Sequence, residues 1–269
     1  MSALSDYLEK ALLDHLLGTT AYTPVATTSS LYLALFTSDP LESGVVGEVS
    51  GGSYARVAIL NNATNFPPCA VTSNPIKSNG AVITFPKATA AWGTVTHWAI
   101  FDSNSTTNRL WHGALTTPRT VAANDTVKIP IGALQMSFTN SPNGGLTAFA
   151  KRRLLDLVFG ATPFTCPVPF LGLGTALDGE TLTEWSDSGY TRQETAFDAA
   201  SSGAGTAVNA SAETFAATTA VTATLTHFGM WDSATAGNLL ATGPLNTSAV
   251  VPDGNEVVIA DSGFVITLK

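Results

Sequence analysis

Two histidines stand in closely matching strings, Thr96-His97-Trp98-Ala99-Ile100-Phe101-Asp102 and Thr226-His227-Phe228-Gly229-Met230-Trp231-Asp232. A histidine with an aspartate five residues on could form a proton relay. In an extended strand, however, side chains alternate with period two. His97 then shares a face with Ala99 and Phe101, while Asp102 falls on the other face or in the following turn. The odd spacing argues against a relay within the strand. No second histidine stands two or four positions away to complete a metal pair, and Cys69 and Cys166 have no CxxC spacing. His97 and His227 are therefore read as structural histidines, hydrogen-bonded within a sheet.

A second pair of strings carries Tyr54 with Arg56 and Tyr190 with Arg192. They read Glu48-Val49-Ser50-Gly51-Gly52-Ser53-Tyr54-Ala55-Arg56 and Glu184-Trp185-Ser186-Asp187-Ser188-Gly189-Tyr190-Thr191-Arg192. A tyrosine and an arginine two apart share a strand face and could stack on a ligand. The plainer reading is a tyrosine packed at a sheet edge, with the arginine pairing Glu48 or Glu184. Asp102 and Asp232, each followed by serine, are turn-formers whose carboxylates hold a backbone amide. Asp253-Gly254-Asn255 could touch Ca²⁺ but lacks the spaced carboxylates of a calcium loop. There is no GxSxG, P-loop or GxGxxG, and nothing singles out two carboxylates as a glycosidase pair. No catalytic, cofactor-binding or metal-ligating residue is assigned, and the chain is read as non-enzymatic.

The elements that must position these residues come in two sets. Leu4, Tyr7, Leu8, Ala11, Leu12 and Leu16 recur at helical spacing, with Asp6, Glu9, Lys10 and Asp14 opposite. Ser2 or Ser5 can cap this helix, and Gly18 fits the position past its end. Leu146, Phe149, Ala150, Leu154, Leu155 and Val158 repeat the pattern, and Leu12-Leu13-Asp14 aligns with Leu154-Leu155-Asp156. The helix stripe is expected to pack under its own sheet, with docking onto a partner protein as the other possibility. Buried strands follow at Leu31–Thr37 and Phe170–Thr175, the second without the aromatic end. Asn108, Leu110, Gly113 and Leu115 then match Asn238, Leu240, Gly243 and Leu245, with turn residues every eight to twelve positions.

The expected fold is mainly β: two tandem antiparallel β-sandwich domains, each preceded by a short amphipathic helix. The boundaries fall at 1–140 and 144–269, with Asn-Ser-Pro-Asn-Gly-Gly at 140–145 as linker. Each unit is long enough for a core of its own.

Of the 269 residues, 12% are charged, about half the usual share. Thr, Ser, Ala and Gly fill the polar positions, which suits a β surface packed against neighbours. The net charge of −8 is uneven: residues 1–150 carry seven Lys/Arg against eight Asp/Glu, while from 154 onward two basic residues face twelve acidic ones. With no basic stripe, nucleic-acid binding is not expected. The run Lys151-Arg152-Arg153 is read as a solvated helix face. Two unmatched cysteines read as free thiols. No run of about 18 apolar residues offers a membrane span, and the charged N-terminus excludes a signal-peptide core.

At these motifs, Leu4–Glu9, Gly18–Thr23, Leu31–Thr37, Glu48–Arg56, Trp92–His97 and Gly113–Thr116, the chain resembles a family of tailed-bacteriophage virion proteins commonly labelled tail fibre proteins. The resemblance covers nearly all of the first copy, and typical members hold one such domain. It implies a structural role, virion location after synthesis in the host cytoplasm, and no catalytic residues. The leading expectation is a capsid decoration (cement) protein, the neutral first copy binding the major capsid protein and the acidic second copy facing solvent. The alternative is a tail fibre or tail-tip protein that binds a host receptor beside other tail proteins. A carbohydrate-active enzyme is the third class. A homo-oligomer, with a trimer favoured, suits either virion role.

Overall fold

The structure is a computed structural model that describes residues 2–41, 45–105, 108–138, 145–201, 205–216, 222–251 and 255–268. Each copy opens with a short strand and an 11-residue helix: β1 (Ser2–Leu4) and α1 (Asp6–Leu16), then β10 (Gly145–Leu146) and α2 (Ala148–Val158). Ser5 and Thr147 cap the helices, accepting from the backbone N–H of Leu8 and Ala150 respectively. Leu4 and Leu146, grouped with the helices by spacing, lie in the strands before them. The reason is the cap: an extended Ser5 or Thr147 cannot be followed backwards by helix. Gly18 adopts φ +71° just past α1, the left-handed turn that ends the helix.

In the first copy the remaining strands are β2 (Ser30–Phe36), β3 (Val57–Leu60), β4 (Lys77–Ser78), β5 (Ile83–Thr84), β6 (Gly93–Phe101), β7 (Arg109–Val121), β8 (Lys128–Ile129) and β9 (Gln135–Met136). The second has β11 (Phe170–Asp178), β12 (Thr181–Glu184), β13 (Gln193–Glu194), β14 (Thr206–Val208), β15 (Glu213–Phe215), β16 (Ala223–Trp231), β17 (Leu239–Val251), β18 (Val257–Ile259) and β19 (Val265–Thr267). The main sheets run β1-β7-β6-β2-β3 and β10-β17-β16-β11-β12, with β13 also paired to β11. All pairings are antiparallel, and corresponding residues face corresponding partners: Leu35 opposes Trp98, and Leu173 opposes Phe228. Two short ladders per copy, β4-β9 with β5-β8 and β14-β19 with β15-β18, supply the second layer.

Side-chain amides pin that second layer. Asn79 is buried; its Nδ2 donates to the carbonyls of Ala81 and Pro130, and its Oδ1 accepts from Leu134 N–H. Asn209 repeats this with Ser211, Ala260 and Phe264. A buried amide with its donors and acceptor satisfied fixes the geometry around it.

The copies differ on the outer sheet face. In the first, Phe36 stacks on Phe101, beside Ala34 and Ala99. In the second the positions of Phe36, Ala34, Ala99 and Phe101 hold Gly174, Gly172, Gly229 and Trp231. A Cβ on Gly174 would lie 2.7 Å from Leu182, and one on Gly172 would lie 2.7 Å from the Trp231 ring. The space of the aromatic end missing from β11 is thus taken by Leu182 of β12, while Trp231, at the Phe101 position, covers Gly172 and Gly229.

Beside the separate Ala34, Phe36, Ala99 and Phe101 group, buried apolar residues of both copies form a continuous cluster that reaches from Leu8 and Trp111 to Phe159 and Leu268. The run Lys151-Arg152-Arg153 is not a wholly solvated face. Lys151 is only 4% exposed, and the Arg153 guanidinium lies 4.9 Å from the centre of the Phe164 ring. At helical spacing Lys151 follows Ala150 and precedes Leu154 and Leu155 on the inward side, so its stem is carried into the core. The expected linker falls mostly outside the described residues, as do Asp253 and Gly254 of the second-copy turn.

Candidate functional site

Tyr54 and Arg56 lie in the segment before β3, and Tyr190 and Arg192 before β13, rather than within the strands. Their side chains converge on one carboxylate in each copy. Arg56 Nε and Nη2 donate to Glu48 Oε1 and Oε2, both at 2.8 Å, and the Tyr54 hydroxyl donates to Oε1 at 3.3 Å. Leu35 N–H donates to the same hydroxyl, locking the group onto β2. In the second copy Arg192 reaches Glu184 at 2.8 and 2.7 Å, Tyr190 reaches it at 2.9 Å, and Leu173 N–H donates to Tyr190. Both guanidinium groups sit 3.8 Å from the centre of an aromatic ring, Phe101 or Trp231. Their remaining Nη1 donates to Ser103 O in one copy, and to Ser233 O and Ala236 O in the other.

This is a bidentate, stacked ion pair with the fork turned inward. Burial is the main cause that pushes both tyrosine pKa values up, so each hydroxyl stays a neutral donor. Each carboxylate holds three donors, two from the guanidinium and one from the tyrosine. The arrangement is a clasp that ties Glu48 after β2, or Glu184 at the end of β12, and the segment leading into β3 or β13 to the end of β6 or β16.

The other repeated residues also make intramolecular contacts. Asp102 accepts from Asn108 N–H and Nδ2, and Asp232 accepts likewise from Asn238, closing matched turns. Gly113 opposes Trp98 and Gly243 opposes Phe228, where a Cβ on Gly243 would lie 2.5 Å from the ring. His97 and His227 sit where the β6–β7 and β16–β17 ladders change register. Each ring Nδ1 contacts the neighbouring threonine hydroxyl, at 2.8 and 2.7 Å. Thr226 gives its single hydroxyl proton to Thr175 O, so His227 Nδ1 must be the donor to Thr226. Neither histidine is brought to its neighbouring aspartate; His97 Nε2 instead stands 3.9 Å from Asp39.

Several residues that spacing did not single out matter more to the architecture. Asp14 and Asp156, at one position of the two helices, each reach into the other copy. Lys77, buried at 1% exposure, pairs with Asp156 at 2.9 Å. His15 Nδ1 accepts from Tyr22 N–H while Nε2 donates to Phe164 O, which fixes a neutral ring. The constant offset of Leu-Leu-Asp and of Asn79 and Asn209 was the available signal. An open groove of about 690 Å³, with Asp6, Tyr7, Lys10 and Tyr22 among its lining, runs along α1. In the second copy the matching aromatics, Phe149 and Phe164, instead pack edge to face with centroids 6.1 Å apart. Among the described residues no group of three or more His, Cys, Asp or Glu side chains could hold a metal ion, and no helix is long and apolar enough to cross a membrane.

No curated protein matches the chain. A family profile does match it, twice, over residues 3–137 and 145–267, the two stretches that carry the repeated helix, clasp and hairpins. The chain thus belongs to the family described as Podophage GP4 fiber I protein gp80, a bacteriophage virion fibre family.

Proposed function

We propose that this chain is a non-enzymatic tail-fibre component of a tailed-phage virion, built from two fibre-type units at about 1–140 and 144–269. The observation that carries the reading is the double family match, whose description names a fibre. The clasps, turn aspartates and bulge histidines support it, because each spends its polar groups inside the chain and holds shape. The low-charge, Thr-rich surface suits packing against other tail proteins and against further copies of the chain, with a trimer favoured. Contact with a host receptor belongs to the same reading.

Capsid decoration is the second reading, and one observation favours it: the near-neutral first copy and acidic second copy suit a chain with one face on a shell and one in solvent. The family description fits a fibre better. Immunogold labelling of intact virions with antibody to this chain separates the two. Label confined to the tail, at tens of copies or fewer per particle, is expected; label spread over the head shell would overturn the fibre reading.

A further inference from the structure

The helices cross the duplication in both directions. From α1, Asp14 Oδ1 accepts the N–H of Ala200 at 2.6 Å, in the segment leading to β14. Glu9, on the same helix, packs where a Cβ on Gly205 would come within 3.1 Å of its own Cβ. From α2, Asp156 Oδ1 accepts the N–H of Cys69, in the segment leading to β4, at 2.8 Å and the ammonium of Lys77, in β4 itself, at 2.9 Å. Asn61 of the first copy then grips the end of α2: its Nδ2 donates to Val158 O and its Oδ1 accepts from Gly160 N–H. Phe159 packs against Phe66 and Trp111 of the first copy. His15 closes the exchange through Phe164 O.

Asp14, Asp156, Asn61, Lys77 and His15 each find a polar partner across the boundary, and the apolar cluster runs through it unbroken. Such a boundary has the character of an obligate interface, a core divided between two partners. Surfaces between loosely linked domains are more polar and leave the domains free to move.

We infer that the two copies are each other's binding partner, each helix packed on its own sheet while reaching into the other copy, in an intramolecular pair that holds without the segment joining them. The first copy supplies a seat for α2, lined by Asn61, Phe66, Cys69 and Lys77. The second supplies the seat for α1 around Ala200 and Gly205. The seats are not equal. Asn79 and Asn209 fix the register between copies, and two residues before each stand Lys77 and Ala207. The buried ammonium is present on one side alone, so the α2 seat is specific for an acidic helix position and the α1 seat relies on the backbone amide.

The test uses the full chain with a protease site inserted in 139–144, cut after folding. The two pieces are expected to elute together on size exclusion at the volume of the uncut chain, and to separate only in denaturant. Two folded pieces eluting separately in native buffer would overturn the inference. In the cut chain, Asp156→Lys, which faces Lys77, is expected to weaken association at least about 30-fold. Arg56→Lys, distant from both seats, should leave the pieces together. If Asp156→Lys prevents folding, Asp14→Ala gives a milder version of the same comparison. Pieces that remain as tightly joined in Asp14→Ala and Asp156→Lys as in the parent would refute the assigned seats.

Discussion

Asp14 and Asp156 hold the same place in two helices 142 positions apart, and each carboxylate accepts a backbone N–H from the opposite copy, Ala200 for one and Cys69 for the other. Only Asp156 also meets a buried ammonium, that of Lys77. The asymmetry gives an order of effects. Asp156→Ala strands a buried Lys77 charge and the Cys69 amide, a loss of about 3–5 kcal/mol. Lys77→Met leaves Asp156 its amide partner and fills the stem's volume, so it should cost less. Asp14→Ala should cost about 1–3 kcal/mol, the penalty for one buried amide left unpaired. Urea unfolding of the three variants checks the ranking, and Asp14→Ala as the most damaging would contradict it.

The clasps predict a second graded pair. Arg56 and Arg192 each make a two-pronged bond to glutamate and lie over an aromatic ring, geometry that a lysine ammonium cannot reproduce. The Arg56 and Glu48 side chains are 6% and 17% exposed, against 11% and 27% for Arg192 and Glu184. Water screens the second pair more. Arg56→Lys should therefore destabilise by about 1–3 kcal/mol and Arg192→Lys by less, the charge-assisted bonds setting the scale. Thermal unfolding of both variants measures this; equal shifts would mean the ring contact, not the ion pair, dominates.

Much of this architecture can be read from spacing, and the part that cannot has a common cause. Helices and long hairpins announce themselves because periods of 3.6 and 2 report which face of an element is apolar. Spacing leaves two readings for Arg56 because a nearby Glu48 and an unseen ligand look alike in one dimension. The partner of an apolar face is harder still. Asp14 and Ala200 lie 186 residues apart, and no local pattern says that α1 covers part of the other copy's β layer. The Phe36 to Gly174 change reads as a lost aromatic until Leu182 is seen filling the space. Lys151 reads as surface because charge outweighs the helical phase that carries its stem inward.

The cysteines should be inert while the chain is folded. Burial pushes both thiols up to about 12, with the Asp156 charge adding to the effect at Cys69 and Asp232 adding to it at Cys166. The thiolate is the reactive form, and at pH 8 it would make up on the order of 10⁻⁴ of each thiol. A thiol-specific chromogenic disulfide should give almost no signal in minutes with native protein and two equivalents in guanidinium. Rapid release of one equivalent from native protein would show that the boundary near Cys166 opens readily.

Acid should loosen the contact between the copies through His15. Its Nδ1 accepts Tyr22 N–H and its Nε2–H donates to Phe164 O, so a second proton would set two donors against each other. Burial lowers its pKa, with the Phe164 carbonyl acting in the opposite direction, and burial also lowers His112, with Arg109 adding to that effect. In the unfolded chain these rings take up a proton as the pH falls through about 6.5. The unfolded state then binds more protons than the folded state, so stability is full above that pH and declines as the pH drops below it. His15→Phe keeps a ring against Phe164 but removes the titration. It should be less stable than the parent at pH 7.5, yet lose less further stability between pH 7 and 5.5, with His112 accounting for what slope remains. Melting curves across that range decide it: an unchanged slope in His15→Phe would mean the His15 ring does not couple protonation to the joining of the two copies.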